Sequence, residues 1–227
     1  MTDTTTIELK NIDPGDISDV LVKIEKSFGF KFGDTELKDV KTFGELCDII
    51  TSRVQGDNVD DCTNQQGFYK IRNAIATIQA TDKNSITPDT NLQQIFPRPN
   101  RRKKIKELKN ELDMAVDILD IKGWLRWTIF SGVAGSLIMF FFNWKLALSG
   151  LTFFIVISWA AYNFFAKEFK LATVGQLTEK LVRENYLKSR RNSSTINRNE
   201  IARKVKEFFS KELDLEEEVL TRQATFV

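Results

Sequence analysis

Two long apolar runs interrupt an otherwise amphipathic chain of 227 residues. Residues 127–142 carry only Thr128, Ser131 and Ser136 as polar side chains, and residues 146–165 carry no charge. At 1.5 Å of rise per residue, a hydrocarbon core of ~30 Å needs about 20 apolar residues as helix. The second run meets that length. The first meets it when Trp124 and Leu125 are added and Arg126 reaches back to the headgroups. A long helix on a soluble protein keeps a polar stripe, and neither run has one. The pattern therefore predicts a two-helix transmembrane hairpin over 124–166, turning at Asn143-Trp144-Lys145.

The flanking sequence is patterned for shorter helices. Ile17, Val20, Leu21, Ile24 and Phe28 recur on one helical face. Glycines at 29 and 33 interrupt it, and 35–40 is expected as a short helical turn. Thr42-Phe43-Gly44-Glu45 has the form of a capping box, opening a helix with Leu46, Ile49, Ile50 and Val54 inward. After a polar loop, Phe68, Ile71, Ile75 and Ile78 predict another helix, and Ile86-Thr87-Pro88-Asp89-Thr90 is turn chemistry. Pro97 and Pro99 precede a basic helix expected to run toward the membrane, with Ile105, Leu108, Leu112, Ala115 and Leu119 as its packing stripe.

Part of this order returns after the hairpin. Thr173-Val174-Gly175-Gln176-Leu177 matches Thr42-Phe43-Gly44-Glu45-Leu46 at a spacing of 131 residues. A helix with Ile201, Val205, Phe208 and Phe209, followed by Leu220-Thr221, matches the helix before Ile86-Thr87 at a spacing of 134. Two features in one order at nearly one spacing predict an internal duplication.

Charge orients the chain. Basic residues crowd both ends of the hairpin, whereas its tip has only Lys145. The positive-inside rule then places both termini of this two-pass chain in the cytoplasm and the tip outside; the expected location is the bacterial inner membrane. The polar start, residues 1–10, predicts no signal peptide. Arg101, Arg102, Lys103 and Lys104 are expected to meet a lipid bilayer with anionic headgroups. No aromatic interleaving accompanies them, so nucleic acid is not expected as a partner. Within the first span, Ser131, Gly132, Gly135 and Ser136 are small residues that permit close helix packing in the membrane.

Candidate chemistry is sparse. The chain has no histidine, the commonest general base and metal ligand. It also lacks a glycine-rich phosphate loop, a Cys-x-x-Cys pair and a Gly-x-Ser-x-Gly elbow. Cys47 and Cys62, in a reducing compartment, are expected as free thiols. No catalytic residue, metal ligand or enzyme activity is expected.

The segments 13–28, 35–40 and 42–50, joined by a Gly-Phe-Lys-Phe tract, resemble the second, third and fourth helices of acyl carrier proteins. Residues 200–227 resemble the first helix and following loop of that family, and 68–96, with Thr87-Pro88-Asp89-Thr90, resemble them again. The resemblance implies an all-α protein of carrier-like helical bundle modules, circularly permuted and duplicated, with the hairpin inserted where a third helix belongs. It implies a division into an N-terminal module (1–97), a basic juxtamembrane helix (98–123), the hairpin (124–166) and a C-terminal segment (167–227). That last segment would complete the N-terminal module, within one chain or by exchange in a homodimer.

Carriers attach phosphopantetheine to the serine of Asp-Ser-Leu at the head of the second helix. The matching residues here are Asp13-Pro14-Gly15-Asp16, so Pro14 stands where the carrier serine would be and no cofactor is expected. The expected function is a non-catalytic, membrane-anchored scaffold or docking protein whose degenerate modules bind a protein partner. Two alternatives are a membrane-associated acyl carrier or accessory to an acyl-transfer enzyme, and a membrane immunity protein against a secreted toxin.

Overall fold

The computed structural model describes residues 9, 12–115 and 117–226; the polar start at 1–8 lies outside that range. The fold is mostly helical, with ten α-helices and four two-residue strands among the described residues. α1 (Pro14–Phe28) starts where the Asp13 carboxylate accepts the Gly15 N–H, and Gly29 (φ 70°) ends it in the left-handed region. Thr42 and Glu45 form both bonds of the capping box at the head of α2 (Phe43–Arg53). Residues 35–40, expected as a short helical turn, lie in a run of turns at 34–39 instead.

Two apolar cores organise the helices, and the chain visits each twice. In the first, Val20, Ile24 and Phe28 of α1 and Leu46 and Ile50 of α2 meet α10 (Arg198–Leu213) through Ile201, Val205, Phe208 and Phe209. The second core joins α3 (Thr63–Gln79), α4 (Leu92–Ile95), α5 (Arg101–Leu112) and α8 (Val174–Glu184). Ile71, Ile75, Phe96, Leu108 and Leu181 are its centre.

This arrangement departs from the expected division. Residues 63–96 pack with α5 and α8, not with the N-terminal module, because Ile71, Ile75 and Ile86 face Leu108 and Leu177. The segment after the hairpin is likewise split, α8 entering the second core and α10 the first. The basic helix, expected to run on toward the apolar hairpin, does not reach it. It stops at Leu112, where Asp113 takes a left-handed conformation (φ 49°) and donates its N–H to the carbonyl oxygens of Asn110 and Lys109. Ala115 and Leu119, expected on its stripe, lie beyond that stop.

The two cores repeat each other hydrogen bond by hydrogen bond. α3 ends on left-handed Ala80, continues through a 3₁₀ turn (Lys83–Ser85) and buries Ile86. α10 ends on left-handed Asp214, continues through a 3₁₀ turn (Glu217–Val219) and buries Leu220. Each following loop then pairs with the N-cap residue of another helix in the same core: Asn91 with Thr173, which caps α8, and Thr225 with Thr42, which caps α2. Phe43 N–H donates to Ala224 O (2.8 Å) and Gly44 N–H to Arg222 O (2.9 Å). Their counterparts are Val174 N–H to Thr90 O (3.0 Å) and Gly175 N–H to Pro88 O (2.7 Å). The returning bonds, Phe226 N–H to Lys41 O and Leu92 N–H to Ala172 O, also match.

This ladder explains the glycine of the repeated motif. A Cβ on Gly44 would sit 2.8 Å from the Arg222 carbonyl oxygen, and one on Gly175 3.1 Å from that of Pro88. The loop backbone crosses the first turn of each helix so closely that a Cβ at Gly44 would collide with it and one at Gly175 would have to push it back by a few tenths of an ångström.

A buried polar network joins the two bundles where α3 and α10 begin side by side. The Glu200 carboxylate accepts from the Thr63 N–H (3.2 Å) and hydroxyl (2.5 Å), so a residue in the first turn of α10 caps α3. Arg190, 1% exposed, donates to Thr63 Oγ1 (2.6 Å) and pairs with Asp61. Lys204, wholly buried, donates to Asn64 (3.0 Å) and Glu207 (2.7 Å). Charges taken out of water persist only when paired and hydrogen-bonded, and losing one partner costs about 3–5 kcal/mol. A parallel pairing of β1 (Asp57–Asn58) with β4 (Thr195–Ile196) closes the junction. Beside it the short α9 (Tyr186–Ser189) buries Tyr186 against Phe28.

Gly44→Ala is expected to lower stability by about 1–2 kcal/mol, overpacking outweighing the gain in helix propensity. Thermal unfolding in detergent checks this. Gly135→Ala serves as control, since its Cβ would meet nothing within 4 Å.

Candidate functional site

The long apolar runs form two consecutive helices projecting from the second bundle. α6 (Gly123–Ile138) continues as a 3₁₀ turn to Phe141, and α7 (Trp144–Ala160) continues as a π-helical turn to Phe165. The combined spans, 19 and 22 residues, are long and apolar enough to cross a membrane, and 11% of each apolar window is buried. Phe130, Phe153, Ile155 and Trp159 are each about 60% exposed. In water that surface would cost on the order of 25 cal/mol per Å². Asn143 caps α7 by accepting from Lys145 and Leu146, so the chain turns in the two residues, Phe142 and Asn143, between the spans.

The four small residues of α6 divide between two faces. Gly132 and Ser136 face α7. A Cβ on Gly132 would lie 2.2 Å from the Phe154 ring, and Ser136 sits where a Cβ on Gly150 would touch its hydroxyl (2.5 Å). Ser131 and Gly135 are exposed, and the Ser131 hydroxyl is satisfied by the Trp127 carbonyl (2.7 Å). Packing within the hairpin therefore uses one diagonal of the stripe. Gly132→Leu should disrupt the hairpin, while Gly135→Leu should leave it intact. Cysteine cross-linking between positions 136 and 150 in detergent, efficient only in the second background, would check the assignment.

At its root the hairpin is gripped by a short neck. β2 (Leu119–Asp120) pairs antiparallel with β3 (Glu168–Phe169), extended by bonds from Lys167 N–H to Asp120 O (2.9 Å) and Lys170 N–H to Ile118 O (3.0 Å). Ile121, Ile129, Ala161 and Ala166 make a small core at this level.

The four basic residues expected at headgroups have different fates. Arg101 is 4% exposed and thus lost to the membrane surface. Its guanidinium donates to Phe96 O (2.9 Å) and Lys167 O, and lies 4.3 Å over the Phe169 ring. Burial holds its pKa below the usual arginine value, against the pull of Glu168. Arg102 donates to the Asn163 carbonyl, a backbone group of the π-turn. Lys104 bonds Ile78 O (2.8 Å) and Glu107 (3.2 Å). Lys103 is exposed. The α5 stripe buries its first residue because Arg101, Ile105, Leu108 and Leu112 share one face, a pattern a basic run conceals.

On the first bundle, an apolar groove opens beside Pro14. Its cavity of about 240 Å³ is lined by Leu9, Pro14, Ile17, Leu21, Val40 and Phe226 among others. Pro14 is the first residue of α1 and is exposed; the nearby Ser18 lies one turn further along the helix. At the head of α5 the matching stretch is Pro97-Arg98-Pro99-Asn100, again without a hydroxyl. Sequence reasoning missed the groove because its lining comes from three separated segments. Cys47 is buried in the same bundle, and burial pushes its thiol up to about 12, so it is protonated at neutral pH. Cys62, exposed, ends the loop before α3 without capping it through its side chain.

Comparison with known proteins gives one partial likeness. The chain is 39% identical over 44 residues to the acyl carrier protein of Coprothermobacter proteolyticus. The match spans 19% of this chain and 54% of that protein, so about half the length of the relative is covered. No family model matches, and no solved structure matches.

Proposed function

We propose that this chain is a non-catalytic docking protein of the bacterial inner membrane, built from two degenerate carrier-like bundles. In this reading the first bundle takes its first helix and loop from the C-terminal part of the chain, whereas the second runs through α3, its loop and α5 in order and takes its last helix, α8, from beyond the hairpin. α10 and the 214–226 loop lead into α1 and α2; α3 and the 80–91 loop lead into α5 and α8. The spans replace the third helix of the second bundle, where the first bundle has only residues 30–41. Both soluble parts lie in the cytoplasm, since the hairpin tip carries only Lys145.

Pro14 is the observation that carries the reading. A phosphodiester needs a hydroxyl, and the proline ring at the head of α1 has none. What remains is a surface: an open apolar groove on a bundle held at the membrane, suited to a protein partner. A second reading, accessory to acyl-transfer chemistry, is favoured by the same groove, whose volume suits part of an alkyl chain.

Two measurements test the proposal. The protein should sediment with membranes through an alkaline carbonate wash, because ~20 apolar residues per span resist extraction. Its intact mass should not change on incubation with a phosphopantetheinyl transferase and coenzyme A. Recovery in the supernatant would remove the anchor, and a pantetheine mass increment would remove the non-carrier assignment.

A further inference from the structure

The charges around the neck do not balance. Each acidic side chain there is already paired: Asp117 with Lys170 (3.2 Å), Asp120 with Arg126 (3.3 Å) and Glu168 with Arg98. Arg101 and Arg102 are committed to backbone carbonyls. Lys103, Lys106, Lys122 and Lys167 have no carboxylate partner among the described residues, and all but the half-buried Lys167 are exposed.

Their placement is tied to the hairpin. Lys122 immediately precedes α6, and Lys167 follows the end of the second span by two residues. The bond from Arg102 to Asn163 pins the first turn of α5 to that same end. Lys103 is the next residue, and Lys106 follows about one turn, ~5 Å, further on. Trp124 (65% exposed) and Tyr162 (44% exposed) mark the same level with the amphipathic rings that favour the headgroup region.

We propose that Lys103, Lys106, Lys122 and Lys167 form a binding surface for anionic phospholipid headgroups, which holds the second bundle against the bilayer. This rests on the hairpin spanning the membrane; of the basic run read along α5 it keeps only Lys103, and it adds Lys106, Lys122 and Lys167. Arg101 and Arg102 are positioning residues that fix α5 to the hairpin; the four lysines meet the lipid.

The test uses the full chain in vesicles of phosphatidylcholine alone or with about 30% phosphatidylglycerol, a fraction that gives a surface potential comparable to a cytoplasmic leaflet. Flotation first reports the anchor: the protein should float with both compositions, and failure in both would refute the spanning hairpin rather than the headgroup site. Amine-reactive labelling read by mass spectrometry then reports the lysines. Lys103, Lys106 and Lys122 should be protected about fivefold in the anionic vesicles, less so in high salt, with Lys38 unchanged. Arg102→Gln should weaken protection of Lys103 and Lys106 while leaving that of Lys122. Equal labelling in both vesicle types would overturn the proposal. So would protection in neutral vesicles by a DNA duplex with none from phosphatidylglycerol, which would assign the cations to nucleic acid.

Discussion

The closure of the neck is the constraint on which the architecture depends. An insertion of two long helices between α5 and α8 is tolerable only if its ends leave and re-enter the bundle side by side. The β2–β3 pairing and the contacts of Arg101 provide that closure. Once the ends meet, the host loses little entropy to the length between them, because loop cost grows only logarithmically. Arg101 lies at the centre: one guanidinium ties the loop before α5 to Lys167, two residues beyond the second span, and covers Phe169. Its burial therefore serves the junction between soluble bundle and apolar hairpin.

The second organising interaction is the backbone ladder at the heads of α2 and α8. The ladder lets each bundle be assembled from distant pieces of chain, since its bonds run between main-chain atoms and ask only for glycine at the crossing. Both bundles can thus share one plan while their side chains diverge. The buried network of Arg190, Glu200 and Lys204 then fixes how the bundles meet. Polar groups this deep specify one arrangement, because any other leaves a charge without a partner.

Much of this was legible in the residues. The uncharged runs identify the apolar spans, and the Thr-x-Gly capping pattern identifies the starts of α2 and α8. The spacings of 131 and 134 residues anticipate the repeated ladder, because the bonded pairs carry the same offsets. Other parts were hidden for physical reasons. Asp113 stops α5 through a left-handed conformation that its identity does not announce, so the helix seemed to continue to the membrane. Arg101 is expected at headgroups, and nothing in the local sequence marks Arg190 or Lys204 as buried, because their partners are carbonyls or side chains far away in sequence. The groove beside Pro14 depends on Phe226 meeting α1, a contact no local pattern encodes.

The central claim is that the hairpin crosses the membrane and returns, leaving both bundles on one side. The most direct measurement places a single cysteine at Lys145 in a chain whose Cys62 is serine, and compares it with the native Cys62 in intact cells. The account predicts that a membrane-impermeant maleimide labels the tip cysteine from outside, and labels Cys62 only after permeabilisation. A tip that stays unlabelled until the cells are opened would contradict it.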